Sequence, residues 1–312
     1  MNGAITAADV SVVVPAYRAA DTIAAALASV AAQTLKPAEV IVVDDGSDDG
    51  TAAAAEACRP WFAGARFEVV TQSNCGPGAA RNAALACARC EAVAFLDADD
   101  EWFPEHLARA IAKLHEDGLT LSAHNEILVE DGRESLNDSL ARLGEHPDPL
   151  LALYRKGCIS TSTVVANRAA LVAVGGFDAS LSNGQDVDLW LAVLSRPGAS
   201  FAIMAEPLSR YIVRATGVNA NIAKRHRCFI AIAKRWAGTM AARDRGRIAD
   251  LWFRISAIHY ETFRGLLGRG QFGAALASCL AYPVNLIDIA RRGLLKQAPD
   301  RNLASFPPVT EA

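Results

Sequence analysis

The sequence predicts an α/β fold in which a mostly parallel, mixed sheet is flanked by helices and followed by a helical extension. Short β-branched runs alternate with Ala-rich stretches through the first hundred residues. The runs are too short to be helices, and strands that alternate with helices form parallel sheets. Beyond residue 220, apolar residues recur at three- and four-residue spacing, which is typical of amphipathic helices.

The regular elements can be placed in order along the chain. Strands are predicted at Val10–Val14, Glu39–Val43, Phe67–Thr71 and Ala92–Leu96, and later at Leu119–Val129, Ser160–Val165, Phe201–Met204 and Leu208–Val213. Helices are predicted from an Asp21 cap to Gln33, over 52–58, from Pro77 to Arg89, and over Arg168–Val174 and Asp186–Leu194. A polar connection is predicted over residues 131–150.

Composition favours an ordered protein with a large core. The chain has 312 residues, 52% of them hydrophobic, and a net charge of only −3, which excludes intrinsic disorder. The seven cysteines are an odd number without a regular spacing, so we expect reduced thiols. Cys87 and Cys90 form one CxxC pair inside a helical run, and we expect them to pack rather than bind zinc.

Polar side chains follow the predicted strands at their carboxyl ends. The three clusters are Pro15–Tyr17, Asp44–Ser47 and Asp97–Asp100. Because parallel strands end at one edge of a sheet, we expect the clusters to converge where ligands of such sheets bind. Carboxylates this close together repel one another unless a cation binds them, and their oxygens suit Mn²⁺ or Mg²⁺. Asp97 and Asp99 are therefore candidate metal ligands, although a solvated acidic turn has the same pattern.

Asp45, after the second strand, has more than one candidate role. Its carboxylate could accept a hydrogen bond from N3–H of a uracil or thymine ring, or it could only close an Asx-turn. The segment from Asp45 to Glu56 also matches the spacing of a calcium-binding EF-hand loop. That loop needs an entering helix, and a strand precedes Asp45 instead, so we expect no calcium site.

Two more residues fit a site at the same edge. Arg81 lies in the first turns of its helix, where it could pair with phosphates or face solvent. Asp186 begins another helix, where a carboxylate could cap the helix or act as a general base, with Asp188 as the alternative. The motifs GxxxxGK[ST], HExxH and GxSxG are missing from the sequence, which argues against the enzyme classes that they mark.

Together these clusters resemble the family 2 glycosyltransferases of the GT-A fold. The match runs from about Val10 to Arg214 and includes VSVVVPAYRAADTIAAALASVAAQT, EVIVVDDGSDDGT, GPGAARNAAL and FLDADDEWFPEHL. The resemblance implies a Rossmann-like GT-A catalytic domain over 1–218, with a nucleotide-sugar half to about residue 100 and an acceptor half over 101–218. Residues 219–312 would form a separate helical region.

The resemblance also implies a reaction. An acceptor hydroxyl would displace the nucleoside diphosphate from the sugar in one in-line step that inverts the anomeric configuration. The implied roles are base and ribose binding by Pro15, Tyr17 and Asp45, phosphate binding by Arg81, contact of Asp97 with the ribose or the metal's water shell, metal ligation by Asp99, and general base catalysis by Asp186. A UDP- or dTDP-sugar is the expected donor.

Two positions depart from the family pattern. Gln185 stands where the family usually has Glu before the base, which could change the basicity of Asp186. The family often has a His after a Tyr–Arg pair, whereas this chain has Tyr211-Ile-Val-Arg214. Either Arg214 meets the diphosphate instead, or the alignment fails at this point.

The C-terminal region carries an excess of positive charge. Residues 220–301 contain 15 Lys and Arg against 5 Asp and Glu. With an apolar helical face, this excess favours docking on anionic lipid, although a helical lid with a solvated basic face fits equally well. No nucleic-acid-binding motif is present, so we expect no nucleic-acid partner.

Localisation can be predicted from two features. The first residues show no basic segment followed by a long apolar run, so we expect no secretory signal. The apolar stretch Phe272–Ala290 contains Pro283, Asn285 and Asp288, which makes it a poor membrane span. The expected protein is cytoplasmic and could bind peripherally to the inner face of the cell membrane.

The favoured function is sugar transfer to a hydroxyl of a glycan or lipid-linked acceptor in cell-surface polysaccharide or glycolipid synthesis. One alternative is a sugar-nucleotide pyrophosphorylase, which would need a GxGTR-like first loop where this chain has PAYR. The other is a nucleotide-sugar-binding scaffold without catalysis, against which the intact Asp97, Asp99 and Asp186 argue.

Overall fold

The structure is a computed structural model that describes residues 10–214, 221–243, 248–296 and 298–301. Its strands are β1 (Val10–Ala16), β2 (Glu39–Asp44), β3 (Arg66–Thr71), β4 (Ala92–Phe95), β5 (Glu101–Trp102), β6 (Leu121–Glu130), β7 (Arg133–Asn137), β8 (Val165–Asn167) and β9 (Phe201–Ile212). They form one sheet in the order β3-β2-β1-β4-β8-β6-β9-β5, and β7 pairs with β6.

The first four strands form a parallel half of the sheet, as predicted. β1 pairs in parallel with β2 and β4, and β2 pairs in parallel with β3. In the other half, β8 runs antiparallel to β4 and β6, whereas β6 and β9 are parallel. Because β1, β2 and β4 are parallel neighbours, the polar clusters that follow them lie at the same edge, which confirms the predicted convergence.

Helices cover both faces of the sheet. They are α1 (Ile23–Ala31), α2 (Thr51–Ala57), α3 (Pro77–Cys87), α4 (His106–Glu116), α5 (Ser139–Gly144), α6 (Pro149–Lys156), α7 (Arg168–Ala173), α8 (Gln185–Leu194), α9 (Ile222–Arg243), α10 (Ala249–Gly268) and α11 (Phe272–Leu294). Short 3₁₀ turns occur at Arg59–Phe62 and Thr161–Thr163.

The mostly apolar sequence of β1, in which Ser11 is the one polar residue, is explained by two cores, one on each side of the sheet. Val13 points into the core that contains Trp190 of α8, whereas Val12 and Val14 point into the core that contains Leu27 of α1. Successive side chains of a strand face opposite ways, so a strand buried on both faces is apolar at nearly every position. All five side chains are fully buried.

Several predicted elements differ from the structure. Asp21 does not cap α1, which begins at Ile23 after Thr22 and has no side-chain cap hydrogen bond. The supposed polar connection over 131–150 contains β7 and α5 and the start of α6, and its polar composition fits the exposed strand β7. A turn at Asp131 and Gly132, both with positive φ, joins β6 to β7.

Two predicted strands were also misplaced. The run from Ser160 to Val165 is mostly a 3₁₀ turn, and β8 begins only at its end. The two late strands are one strand, β9, which follows β6 across register shifts between His124 and Ile127. The irregular register explains why β9 does not show one continuous pattern in the sequence.

Helices α9, α10 and α11 pack on one another and extend the core that holds α6 and α8. Ile230 and Trp236 of α9 and Ile255 of α10 are buried in that core. The division of the chain at residue 218 stays a prediction. Among the described helices, α11 alone is long and apolar enough to cross a membrane by length and composition, in contrast with the predicted poor span.

Candidate active site

A cleft of about 490 Å³ lies where the loop after β4, the turn at Thr161–Thr163, the start of α8, the end of β9 and the start of α9 meet. Five predicted site residues line it: Arg81, Asp97, Asp99, Asp186 and Arg214. These residues are separated by up to 133 positions in the sequence, from 81 to 214, and the fold brings them to one place.

Arg81 is a buried cation at the wall of this cleft. Its side chain is only 5% exposed, and Nη2 donates to Oδ1 of Asp97 at 2.5 Å. Its Nε and Nη1 atoms have no hydrogen-bond partner among the described residues. Buried donors without a partner are costly, so these two N–H groups are available to oxygen atoms of a ligand.

Asp99 lies close to Asp97, and the surroundings of its side chain disfavour its negative charge. Burial, and secondly the negative charge of Asp97, raise the pKa of Asp99. The nearest cation, Nε of Arg214, is 3.9 Å from Asp99 Oδ2, a weak ion pair. A divalent cation would relieve the repulsion between the two carboxylates, and their hard oxygen atoms are suitable ligands.

The remaining ligands of such a cation would have to come from substrate and water. Within the described ranges, no group of three or more His, Cys, Asp and Glu side chains is arranged to hold a metal ion. Sites that bind Mg²⁺ through one or two carboxylates plus substrate phosphates have this incomplete protein shell. Asp97 and Asp99 therefore fit a cation that arrives with a diphosphate.

Asp100 has a structural role instead. Its Oδ2 accepts from Ser162 Oγ at 2.5 Å and its Oδ1 from the backbone N–H of Ile212 at 3.1 Å. Burial, followed by the charges of Asp97 and Asp99, raises the pKa of this carboxyl well above its ordinary value. Asp100 thus fastens the loop after β4 to β9 and to the turn at Thr161–Thr163.

Asp186 and Asp188 have different surroundings in the first turn of α8. Asp186 lines the cleft, and its Oδ2 lies 3.3 Å from the Thr161 hydroxyl that donates to it. Burial raises the pKa of Asp186. Asp188 is fully buried and accepts from Arg235, Trp236 and Arg301 at 2.8–2.9 Å. Asp188 therefore cannot reach a substrate, and of the two only Asp186 is placed to act as a base.

Gln185, the departure from the family pattern, is buried beside Asp186. Its Oε1 has no hydrogen-bond partner within the part of the chain that the structure describes. A neutral side chain here adds no negative charge next to Asp186. The change from Glu therefore removes a like-charge repulsion that would raise the pKa of Asp186 further.

Three predicted donor-binding residues lie outside the cleft, at the neighbouring strand ends. Pro15 is buried in β1, and Tyr17 just after it is 46% exposed. Asp45 is buried and accepts from Gln72 Nε2 at 2.7 Å and from the backbone N–H groups of Cys75 and Gly76 at 2.9 and 2.7 Å. Asp45 therefore anchors the loop that leads into α3. The strand β2, and not an entering helix, precedes Asp45, as predicted.

The structure adds site residues that the sequence did not reveal. Thr161 and Ser162 line the cleft, as do Arg225 and Phe229 of α9. A run of hydroxyl side chains, STST, was a usable signal for the first two, because a buried strand would be apolar. Nothing local to α9 marks Arg225, since its role depends on how α9 folds back onto the cleft.

Comparison with known proteins finds relatives that are named for polysaccharide biosynthesis or for glycosyl transfer. The chain is 29% identical to the succinoglycan biosynthesis protein ExoU of Rhizobium meliloti over 97% of this chain and 92% of the relative. It is 30% identical to the amylovoran biosynthesis glycosyltransferase AmsB of Erwinia amylovora, over 64% and 68%. It is 28% identical to the Escherichia coli UDP-Glc:alpha-D-GlcNAc-diphosphoundecaprenol beta-1,3-glucosyltransferase WfgD, over 68% and 80%.

Solved structures share the fold. TarS of S. aureus, residues 1–349 in complex with UDP-GlcNAc, superposes with a TM-score of 0.61 at 20% identity, over 91% of this chain and 90% of that one. Mannosyltransferase PcManGT from Pyrobaculum calidifontis, in complex with GDP-Man and Mn²⁺, gives 0.58 at 19%, over 95% and 90%. These neighbours confirm the predicted GT-A fold. The sequence profile of glycosyl transferase family 2 matches residues 11–169, just over half of the chain, and the protein belongs to that family.

Proposed function

We propose that this protein is an inverting, metal-dependent glycosyltransferase that moves a sugar from a UDP- or dTDP-sugar to a hydroxyl of a glycan or lipid-linked acceptor. The observation that carries the proposal is one cleft that holds a buried cation with free donors, Arg81, a carboxylate pair, Asp97 and Asp99, and a separate carboxylate, Asp186. These are the parts needed to hold a diphosphate and to deprotonate an acceptor.

Arg81 and the carboxylate pair, Asp97 and Asp99, would hold the leaving diphosphate. The free N–H groups of Arg81 would donate to its oxygen atoms, and Arg214, two residues after the end of β9, would contact it from another part of the cleft wall. Asp99 would bind Mn²⁺ or Mg²⁺ directly, with Asp97 in contact with the ribose or the metal's water shell. When bound, the cation neutralises the charge that develops on the diphosphate as it departs.

Asp186 acts on the acceptor. The acceptor oxygen attacks the anomeric carbon, the bond from that carbon to the diphosphate oxygen breaks, and the hydroxyl proton passes to Asp186. The raised pKa of Asp186 makes its carboxylate a better proton acceptor than an exposed aspartate. The hydrogen bond from Thr161 orients the side chain for this step.

The nucleoside would lie at the ends of β1 and β2, against Pro15, Tyr17 and Asp45. A carboxylate offers about four lone-pair positions. Asp45 already accepts three hydrogen bonds, two at Oδ1 and one at Oδ2. These bonds leave one position at Oδ2 unused, and we assign it to N3–H of the uracil or thymine ring of a UDP- or dTDP-sugar.

The relatives support a polysaccharide pathway and a lipid-linked acceptor. ExoU and AmsB are named for the biosynthesis of succinoglycan and amylovoran, and WfgD for transfer to GlcNAc-diphosphoundecaprenol. We infer a similar acceptor class here, with the reaction on the cytoplasmic side of the cell membrane. The basic C-terminal helices fit such a location.

Calorimetric titration of UDP, dTDP and GDP, each with and without Mn²⁺, tests the proposal. We expect UDP or dTDP to bind tightly only when Mn²⁺ is present. Preference for GDP would contradict the role of Asp45. Slow metal-dependent hydrolysis of the matching nucleotide sugar would then separate an enzyme from a binding scaffold, which would bind the donor and leave it intact.

A further inference from the structure

The outer face of α11 carries a continuous apolar stripe. Its members lie at spacings of three, four and seven residues, which places them on one side of the helix. Each is between 62% and 71% exposed, and together they are Phe272, Leu276, Leu280, Val284, Ile287 and Leu294. The helix has no charged residue from Phe272 to Ile287. A stripe about 33 Å long is therefore left without cover by the described chain.

An apolar groove of about 760 Å³ runs beside the apolar stripe. It is lined by Trp252 of α10, by Pro283, Leu286 and Ile287 of α11, and by residues at the end of α11. Trp252 is 45% exposed. A contiguous apolar surface of this extent on a folded chain marks a site that binds a membrane, another protein or an apolar ligand.

The two ends of the apolar stripe are basic. Arg264 and Arg269 are exposed near its beginning, and Arg291 and Lys296 are exposed near its end. The one acidic residue of α11, Asp288, is already paired with Lys234 at 2.7 Å and with Arg292 at 3.2 Å. An apolar centre with cations at its ends matches the boundary between the acyl chains and the headgroups of an anionic bilayer.

We propose that α11 is an in-plane membrane anchor whose apolar stripe inserts into one leaflet of an anionic bilayer while the terminal cations contact lipid phosphates. The inference adds to the proposed function a fixed surface by which the enzyme would meet a lipid-linked acceptor. Only this purpose, the meeting with a lipid-linked acceptor, rests on the proposed function. The anchor itself follows from the exposed side chains and their charges.

Contacts on the opposite face of α11 argue against a helix that spans the bilayer. Ile289 and Gly293 are buried against α9 and α10, and a Cβ at Gly293 would lie 2.5 Å from Leu251 Cδ1. Asn285 bonds to His259 at 3.0 Å, and Asp288 pairs with Lys234. A spanning helix would break these contacts and expose the core of α9 and α10.

The charges also argue against a second copy of the chain as the occupant. Because both ends of the apolar stripe are basic, two stripes packed together would bring cations into contact in either a parallel or an antiparallel arrangement. Like charges brought together in this way oppose association. An anionic lipid surface neutralises the same cations.

Flotation of the full-length protein with vesicles tests the anchor. Vesicles of phosphatidylcholine and phosphatidylglycerol should carry the protein upward, and vesicles of phosphatidylcholine alone should bind far less. The double variant Leu280→Ser, Ile287→Ser should reduce the bound fraction by about tenfold or more. Leu136→Ser, which changes an exposed leucine on β7, is the matched control and should bind as the parent does.

Other outcomes would overturn the proposal. Equal binding by the double variant and the parent would remove the role of α11, and resistance of the bound protein to alkaline carbonate would indicate a spanning helix. If the parent protein formed a dimer in light scattering and did not bind vesicles, and the double variant were monomeric, the apolar stripe would be assigned to contact with a second copy of the chain. UDP binding by the double variant should stay unchanged, and vesicle binding should survive Asp99→Ala, so failure of the anchor is distinguishable from failure of the proposed enzyme.

Discussion

Asp186 and Asp188 lie two residues apart on α8, and their partners give them opposite properties. Asp188 is enclosed by two guanidinium groups and an indole N–H, which satisfy its charge inside the protein. Asp186 has a single hydroxyl donor and one backbone N–H, and it faces a cleft. A carboxylate with few partners keeps the basicity that proton transfer requires.

Asp186→Asn should therefore keep nucleotide binding and lose transfer. The amide cannot accept the proton of the acceptor, and general base catalysis commonly contributes a factor of roughly 10² to 10⁴. Initial rates of sugar transfer and calorimetry with UDP and Mn²⁺ measure the two properties separately. Asp48→Asn, at an exposed carboxylate paired with Arg18, is the control and should be fully active. Near-parental turnover of Asp186→Asn would place the base elsewhere in the cleft.

Asp99→Ala should abolish the dependence of donor binding on metal. Removal of the proposed direct ligand leaves Asp97, which is engaged by Arg81, as the only carboxylate of the pair. We expect the affinity for UDP in the presence of Mn²⁺ to fall roughly ten- to hundredfold or more, while circular dichroism stays unchanged. If Mn²⁺ still enhanced UDP binding in a folded Asp99→Ala protein, Asp99 would not be the ligand.

At the residue scale, the positions of Arg81, Asp97 and Asp99 in the cleft were predictable from the sequence, whereas those of the hydroxyl side chains and of Arg225 were not. Asp97, Asp99 and Arg81 follow strands or begin a helix in a parallel sheet, whose geometry fixes where strand ends meet. Thr161, Ser162 and Arg225 reach the cleft from a 3₁₀ turn and a distant helix. Their positions depend on tertiary packing, which no local pattern encodes.

At the scale of elements, α8 is held by a network of buried charges. Arg235 of α9 bridges Asp178 and Asp188 at 2.8 and 2.9 Å. Arg301 donates to Asp188 and to the carbonyl groups of Val174 and Gly176 at 2.5–2.8 Å. The short segment 298–301 thus ties the loop after α7 to the helix that carries Asp186.

Arg301→Ala should destabilise the protein. It leaves one oxygen of Asp188 and two carbonyl groups without their donors in a buried position, which costs roughly 2 to 4 kcal/mol in the free energy of unfolding. Urea denaturation followed by circular dichroism measures the loss, and Lys296→Ala at an exposed position is the control. A change below about 0.5 kcal/mol would show that Arg235 and Trp236 satisfy Asp188 without Arg301.

The elements that sequence reasoning missed are those whose form depends on neighbours. The parallel strands β1, β2 and β4 were found because burial on both faces leaves an unmistakable apolar run. β7 was missed because an exposed edge strand is polar, and only its pairing with β6 makes it a strand. β9 was divided because its register against β6 shifts midway.

At the scale of the whole molecule, stability should decrease in acid because of a buried histidine pair. His106 Nδ1 and His124 Nε2 lie 2.7 Å apart and join α4 to β6. Burial lowers the pKa of both, that of His124 to about 4, and the charge of His124 lowers that of His106 further. The unfolded chain, with a histidine pKa near 6.5, binds these protons more tightly than the folded one.

The free energy of unfolding should therefore keep its full value above about pH 6.5 and decrease as the pH falls towards 4. The lowered pKa of His124 alone corresponds to a loss on the order of 3 kcal/mol. Urea denaturation at a series of pH values measures this slope, and His124→Asn should make it shallower. An identical slope in the variant would assign the acid sensitivity to other groups.

The contact between Arg301 and Asp188 also has a consequence for how the chain is made. The two residues are 113 positions apart, and the ribosome delivers α9, α10 and α11 before the guanidinium of Arg301. N-terminal parts of a chain fold first during synthesis. The nascent sheet and α8 can thus form early, yet Asp188 has an incomplete set of partners until residue 301 emerges. The charge network around α8, the helix that carries Asp186, is therefore completed only after residue 301 has left the ribosome, so half-made chains would have an incompletely supported α8.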